Sequence, residues 1–86
     1  MQETPEARLK RMRMRAGRRG IKEMDLILGG YAEARLAAMD AEALDLFDAL
    51  LWENDHDLYA WVTGKAAVPD SYAGLIGDIA VQSGAV

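Results

Sequence analysis

The stretch Arg18-Arg19-Gly20-Ile21-Lys22-Glu23-Met24-Asp25 gathers more chemically useful side chains than any other part of this chain. An arginine offers a planar fork of donors suited to carboxylates and phosphates, a glycine allows close backbone approach, and a glutamate fixed on a helix presents a firm acceptor. Local physics accounts for part of the pattern. Gly20 can cap a helix, and Glu23, three residues on, can reach back to the cap N–H and favours the helix dipole. Arg19 and Lys22 do not fit, because positive charge at a helix N-terminus costs about 0.3 to 1 kcal/mol each, although the arginines can also serve the end of a preceding helix. On the residues alone, this is a structural elbow with an exposed corner.

Other candidates are weaker. Asp55 and Asp57 form a carboxylate pair, but without a pocket to separate their pKa values they are better explained as a helix cap and a solvated neighbour. His56, the one histidine, belongs on the surface of a helix's first turn and cannot build a metal site unaided. Trp52 is expected to cover the junction before the following helix, with a role as an exposed partner anchor as the alternative. Arg8, Arg11 and Arg15 lie within about 60° on one helix face and repel one another. Either the acidic remainder of the chain neutralises them, or the face docks on another surface. There is no G-x-S-x-G, no phosphate-binding glycine loop with a following Lys and no His pair, so no catalytic constellation is expected.

The elements that must position these residues are all helical. Thr4-Pro5-Glu6 starts a first helix that runs to about Ala16 with Leu9, Met12 and Ala16 inward, and Gly17 stops it. A second helix begins near Gly20, carries Ile21, Met24, Ile27 and Leu28 at helical spacing, and is expected to break at Gly29-Gly30. A short third, from about Tyr31 to Ala38, would bury Leu36. Asp40 caps a fourth with an apolar arc of Ala43, Leu44, Phe47, Leu50 and Leu51. Asp55 is expected to cap a fifth, which holds Leu58, Trp61 and Val62 and ends at Gly64. After a loop from Lys65 to Pro69, Asp70 or Ser71 opens a last helix with Tyr72, Leu75, Ile76 and Ile79 inward. No segment combines period-two alternation with β-branched content. The pattern predicts an all-α bundle of five or six short helices in a single domain over residues 1–86, with 1–4 and 83–86 frayed.

Composition narrows the function classes. Eighty-six residues without cysteine exclude disulfide scaffolds, thiolate metal sites and cysteine nucleophiles, and leave little room for a large substrate cleft. A mean hydropathy of -0.10 and the lack of a long apolar run predict a soluble, cytoplasmic protein with no membrane insertion. The net charge of -4 is strongly divided. Residues 1–22 hold eight Lys or Arg against two Glu, a net +6, and the remainder holds two against twelve acids, a net −10. The Arg-rich beginning is read as mature protein rather than a transit peptide, because it contains Glu3 and Glu6 and lacks serine.

The form R-R-G-x-x-E-x-D resembles the signature of the small succinate dehydrogenase FAD assembly factors. A second block agrees: Phe47 to Leu51, then Asn54-Asp55-His56-Asp57-Leu58-Tyr59 and Trp61, is similar to that family's leucine run leading into D-x-D-L-aromatic and a tryptophan. Pro69-Asp70 falls where the family turns into its last helix, so the likeness covers about residues 8 to 80. His56 stands where many relatives have proline, and Ala16-Gly17 where bulkier residues are common. The resemblance implies a monomeric binding protein, not an enzyme, that docks on the flavoprotein subunit of succinate dehydrogenase, with fumarate reductase as a further partner of the same kind. It would promote covalent attachment of FAD to the partner's own histidine. FAD would then belong to the partner, and this chain would have no cofactor of its own. The implied partner-binding residues are Arg19, Gly20, Glu23, Arg18, Asp25, Arg11, Arg15, Asp55 and Asp57. The rival readings are a nucleic-acid binder using the basic arm, with Gly17-Arg18-Arg19-Gly20 matching a GXXG loop, and an antitoxin-like regulator. The −10 remainder speaks against the first, and nothing in the residues separates the second.

Overall fold

Thr4 begins the first helix as expected: its Oγ1 accepts a hydrogen bond from the Ala7 N–H at 3.1 Å, and Pro5 occupies the first turn. In the computed structural model, which describes residues 3–84, this helix is α1 (Pro5–Ala16). An elbow leads into α2 (Lys22–Arg35), followed by a 3₁₀ turn, Leu36–Ala38. The expected break at Gly29-Gly30 does not occur. Each glycine costs about 1 kcal/mol in a helix interior, which burial of Tyr31, Ala32 and Leu36 beyond them can offset. Neither glycine has a positive φ. Gly29 also has a packing reason, since a Cβ there would lie 3.4 Å from the Gly17 Cα, so its bareness lets the end of α1 close onto α2.

Asp40 caps α3 (Ala41–Leu50) by accepting from the Ala43 N–H at 2.8 Å. The next helix, α4 (Asp55–Val62), is capped by Asn54, which accepts from the His56 N–H at 2.8 Å, and not by Asp55 as the spacing predicts. Asp55 is thereby released for another task. Past Gly64, whose φ of 78° ends that helix in a left-handed turn, Asp70–Tyr72 forms a 3₁₀ turn and α5 (Ala73–Ser83) follows. The last helical segment thus opens at Asp70 as expected, without a side-chain cap. Of the ends expected to fray, residues 1, 2, 85 and 86 lie outside the described residues; Thr4 is engaged as a cap, Ser83 is helical and Gly84 closes α5.

The core assembles the predicted faces. Met12, Met24, Leu28, Leu36, Phe47, Leu50, Leu51, Leu58 and Ile79 are fully buried, and the Tyr31 and Phe47 rings meet at 5.7 Å. Each large side chain contributes about 1.5 to 3 kcal/mol by leaving water, the main stabilisation open to a chain without disulfides. α2 packs against α1, α4 and α5, which makes it the central element. The fold is all-α, and no helix among the described residues is long and apolar enough to cross a membrane.

Candidate functional site

Arg19 leaves the end of α1 and turns inward. Its Nε donates to Asp55 Oδ1 at 2.7 Å, Nη1 to the Leu51 carbonyl at 2.7 Å and Nη2 to the Glu53 carbonyl at 3.0 Å. One guanidinium thus satisfies carbonyls at the C-cap of α3 and in the turn beyond it and binds the first residue of α4, in the planar multidentate geometry that lysine lacks. Its side chain is only 7% exposed. The second oxygen of Asp55 accepts from the Gly20 N–H at 2.6 Å, and the Arg19 N–H donates to Asp25 Oδ1. Asp55 therefore clasps the elbow from one side and Asp25 from the other. The two sequence blocks form one structural unit.

This arrangement divides the R-R-G-x-x-E-x-D segment. Arg19, Gly20 and Asp25 are engaged within the fold, whereas Arg18 and Glu23 are exposed, with Asp57 and His56 also exposed on the first turn of α4. Glu23 does not make the anticipated bond to the cap, because the Gly20 N–H goes to Asp55 and Ile21 holds the cap position. It remains in the first turn of α2, favourably placed for the helix dipole. The mismatch expected for Arg19 is resolved by its carbonyl partners. Gly20 is exposed but tight on one side: a Cβ would sit 3.0 Å from Asp55 Oδ2, so a larger residue must push that carboxylate aside by a few tenths of an ångström.

The basic face of α1 is split in two. Arg8 reaches Asp45 at 2.7 Å and Asp48 at 3.4 Å, and Arg11 grips Asp48 through two bonds of 2.7 and 2.8 Å while also bonding Glu3. The Arg11 hydrogen bonds hold the Asp48 carboxyl below its ordinary range despite partial burial, with Arg8 adding to the effect. Arg11 lowers Glu3 in the same way. Neutralisation by the acidic body is correct for this half. Arg15 instead lies over Trp52, its guanidinium carbon 3.9 Å from the ring centroid. Trp52 does not cover the junction as expected; it is 70% exposed. Sequence reasoning also missed a cleft of about 420 Å³ lined by Tyr31, Arg35, Met39, Leu46, Leu75 and Asp78, which shares no residue with the corner. Of its lining residues, only Ala43 and Leu75 belonged to an apolar arc read from the sequence.

Residues 10–81 match the family described as flavinator of succinate dehydrogenase. The chain belongs to this family. The resemblance drawn from the two blocks is therefore sound, and its extent nearly coincides with the match. Among individual relatives, the mitochondrial succinate dehydrogenase assembly factor 2 of Schizosaccharomyces japonicus is 37% identical over 70 residues, covering 81% of this chain and 49% of that protein. The FAD assembly factor of Acetobacter pasteurianus is 36% identical over 67 residues, covering 78% and 62%. The Candida glabrata assembly factor 2 is 54% identical over 46 residues, which cover 54% of this chain and 30% of that protein. The chain spans less than two thirds of the length of each of these relatives.

Proposed function

We propose that this chain is a binding factor for the flavoprotein subunit of succinate dehydrogenase that promotes covalent attachment of FAD to it. The observation that carries the reading is the union of the two blocks into one clasped corner within a chain of the flavinator family. In this reading Arg19, Gly20, Asp25 and Asp55 hold the corner's shape, and Glu23 and Asp57 face the partner. Arg11 fixes α1 from behind. The factor contributes no cofactor and no catalytic group: FAD and the histidine that receives it belong to the flavoprotein. Docking raises the population of the partner conformation in which the two meet, through preferential binding to that conformation. We further propose that it acts as a monomer in the cytoplasm. Service to the flavoprotein of fumarate reductase would follow if that subunit presents the same surface.

Glu23→Ala is the discriminating variant, because this exposed carboxylate accepts no hydrogen bond from another described residue. The protein should melt cooperatively near the native temperature while covalent FAD on the co-expressed flavoprotein, read by in-gel fluorescence, falls severely. Full flavinylation at matched protein levels would overturn the reading.

A further inference from the structure

Among the described residues, Arg8, Arg11, Arg19 and Arg35 each have an acidic partner, whereas Arg13, Arg15 and Arg18 have none. Of these three, Arg15 and Arg18 line a cleft of about 330 Å³ with Met14 and Arg19. Arg15 Nε is buried without a hydrogen-bond partner, an uncompensated donor of the kind that calls for an explanation. The cleft has apolar neighbours as well: Met14 is 46% exposed, and Trp52 stands beside Arg15 with most of its ring in solvent. Stacking on Trp52 fixes the Arg15 fork before any ligand arrives, which reduces the ordering cost of binding.

We propose that this cleft binds an acidic segment of a protein partner. One carboxylate lies between Arg15 and Arg18, and an adjacent aromatic or large apolar side chain rests on Met14 and Trp52. Charge complementarity selects the occupant. Two unpaired guanidinium groups are a local positive site, but Asp45, Asp48, Glu53, Asp55 and Asp57 follow nearby in α3, α4 and the turn between them, within a remainder of net −10. A nucleic acid needs a continuous row of phosphate contacts and would meet these acids, while a short peptide need not. Tryptophan and arginine are also among the residue types enriched at the energetic centres of protein interfaces. Because Arg19 joins cleft and corner, the flavoprotein is the partner this site would grip as a second contact; that assignment, unlike the ligand chemistry, rests on the proposed function.

Two measurements separate the claims. In the first, ¹⁵N-labelled protein is titrated with acetyl-Glu-Phe-Asp-amide, its uncharged counterpart acetyl-Gln-Phe-Asn-amide, inorganic pyrophosphate and a short oligouridylate. The acidic peptide should shift the Trp52 indole N–H and the Arg15 and Arg18 Nε–H signals, the uncharged peptide should not, and both Trp52→Ala and the Arg15→Gln/Arg18→Gln pair should lose saturable binding. No shift with the acidic peptide, equal shifts with the uncharged one, or a response only to pyrophosphate or RNA would overturn the proposal. In the second, the purified flavoprotein subunit should bind the arginine pair variant about tenfold more weakly than the native factor. Unchanged binding of that variant, alongside weakened binding of Glu23→Ala, would sink the cleft and leave the proposed function standing. Peptide binding without any flavoprotein binding would do the reverse.

Discussion

Asp55 has two oxygens and two distant obligations, the Arg19 guanidinium and the Gly20 N–H. Asp55→Ala would leave both donors short of partners in a setting where the arginine is almost wholly buried, so we expect a loss of about 2 to 4 kcal/mol, read from the urea midpoint. Glu23→Ala, exposed and free of such duties, should stay within about 0.5 kcal/mol of the native protein. If Asp55→Ala unfolds no more easily than Glu23→Ala, the clasp does not hold the corner. The same geometry disqualifies Arg19→Ala and Gly20→Leu as tests of docking. The first removes three internal hydrogen bonds, and the second crowds the Asp55 carboxylate, so either can lower the proposed activity merely by disturbing the elbow.

At the level of elements, α2 provides the most direct check. Nothing lies within 4 Å of a Cβ built on Gly30, and its φ is not positive. Gly30→Ala should therefore stabilise by about 0.5 to 1 kcal/mol, raising Tm by about 2 to 8 °C in a domain of this size. A lower Tm would mean that the helix does break there. Gly29→Ala should gain less or lose stability, because its methyl must share space with Gly17. These glycines also show where reading from sequence stops. Helix existence, the Thr4 and Asp40 caps and the inward faces were legible because each depends on neighbours within about four residues. The continuity of α2 was not, since its support comes from side chains buried beyond the glycines. Likewise Asn54 displaced Asp55 as the cap because Asp55 had a stronger use 35 residues away in sequence, at Gly20. The corner's location was legible as a dense segment, but its division into Arg19 inside and Glu23 outside depended on contacts no local window contains.

For the whole molecule, the basic α1 and the acidic α3 act as opposite plates joined by Arg8 and Arg11. The Asp48 carboxyl, lowered chiefly by its Arg11 hydrogen bonds, favours the ionised form more in the folded than in the unfolded chain. Its contribution to stability is complete above the unfolded value, about 3.9, and is lost as pH falls through the lower folded value. Stability should thus decline below about pH 4, and Asp48→Asn should flatten that decline in urea melts taken across the acid range. An unchanged slope would assign the acid limb to other carboxyls. The opposite sign applies at high pH. Burial, helped by the Asp78 hydrogen bond, raises the Tyr31 phenol, so its contribution is full below about pH 10 and fades as pH climbs through the folded value. Tyr31→Phe should reduce alkaline loss of stability while removing the 2.6 Å bond to Asp78.

The clasp also imposes an order in time. A ribosome adds Arg19 and Gly20 to the chain before it has made Asp55, and the 35 residues separating Gly20 from its partner take about 2 to 7 s to synthesise. Throughout that interval the signature segment exists chemically but lacks the carboxylate that sets its shape. A nascent chain therefore cannot present a finished corner until α4 has begun to emerge, so an incomplete copy carries the motif without its shape.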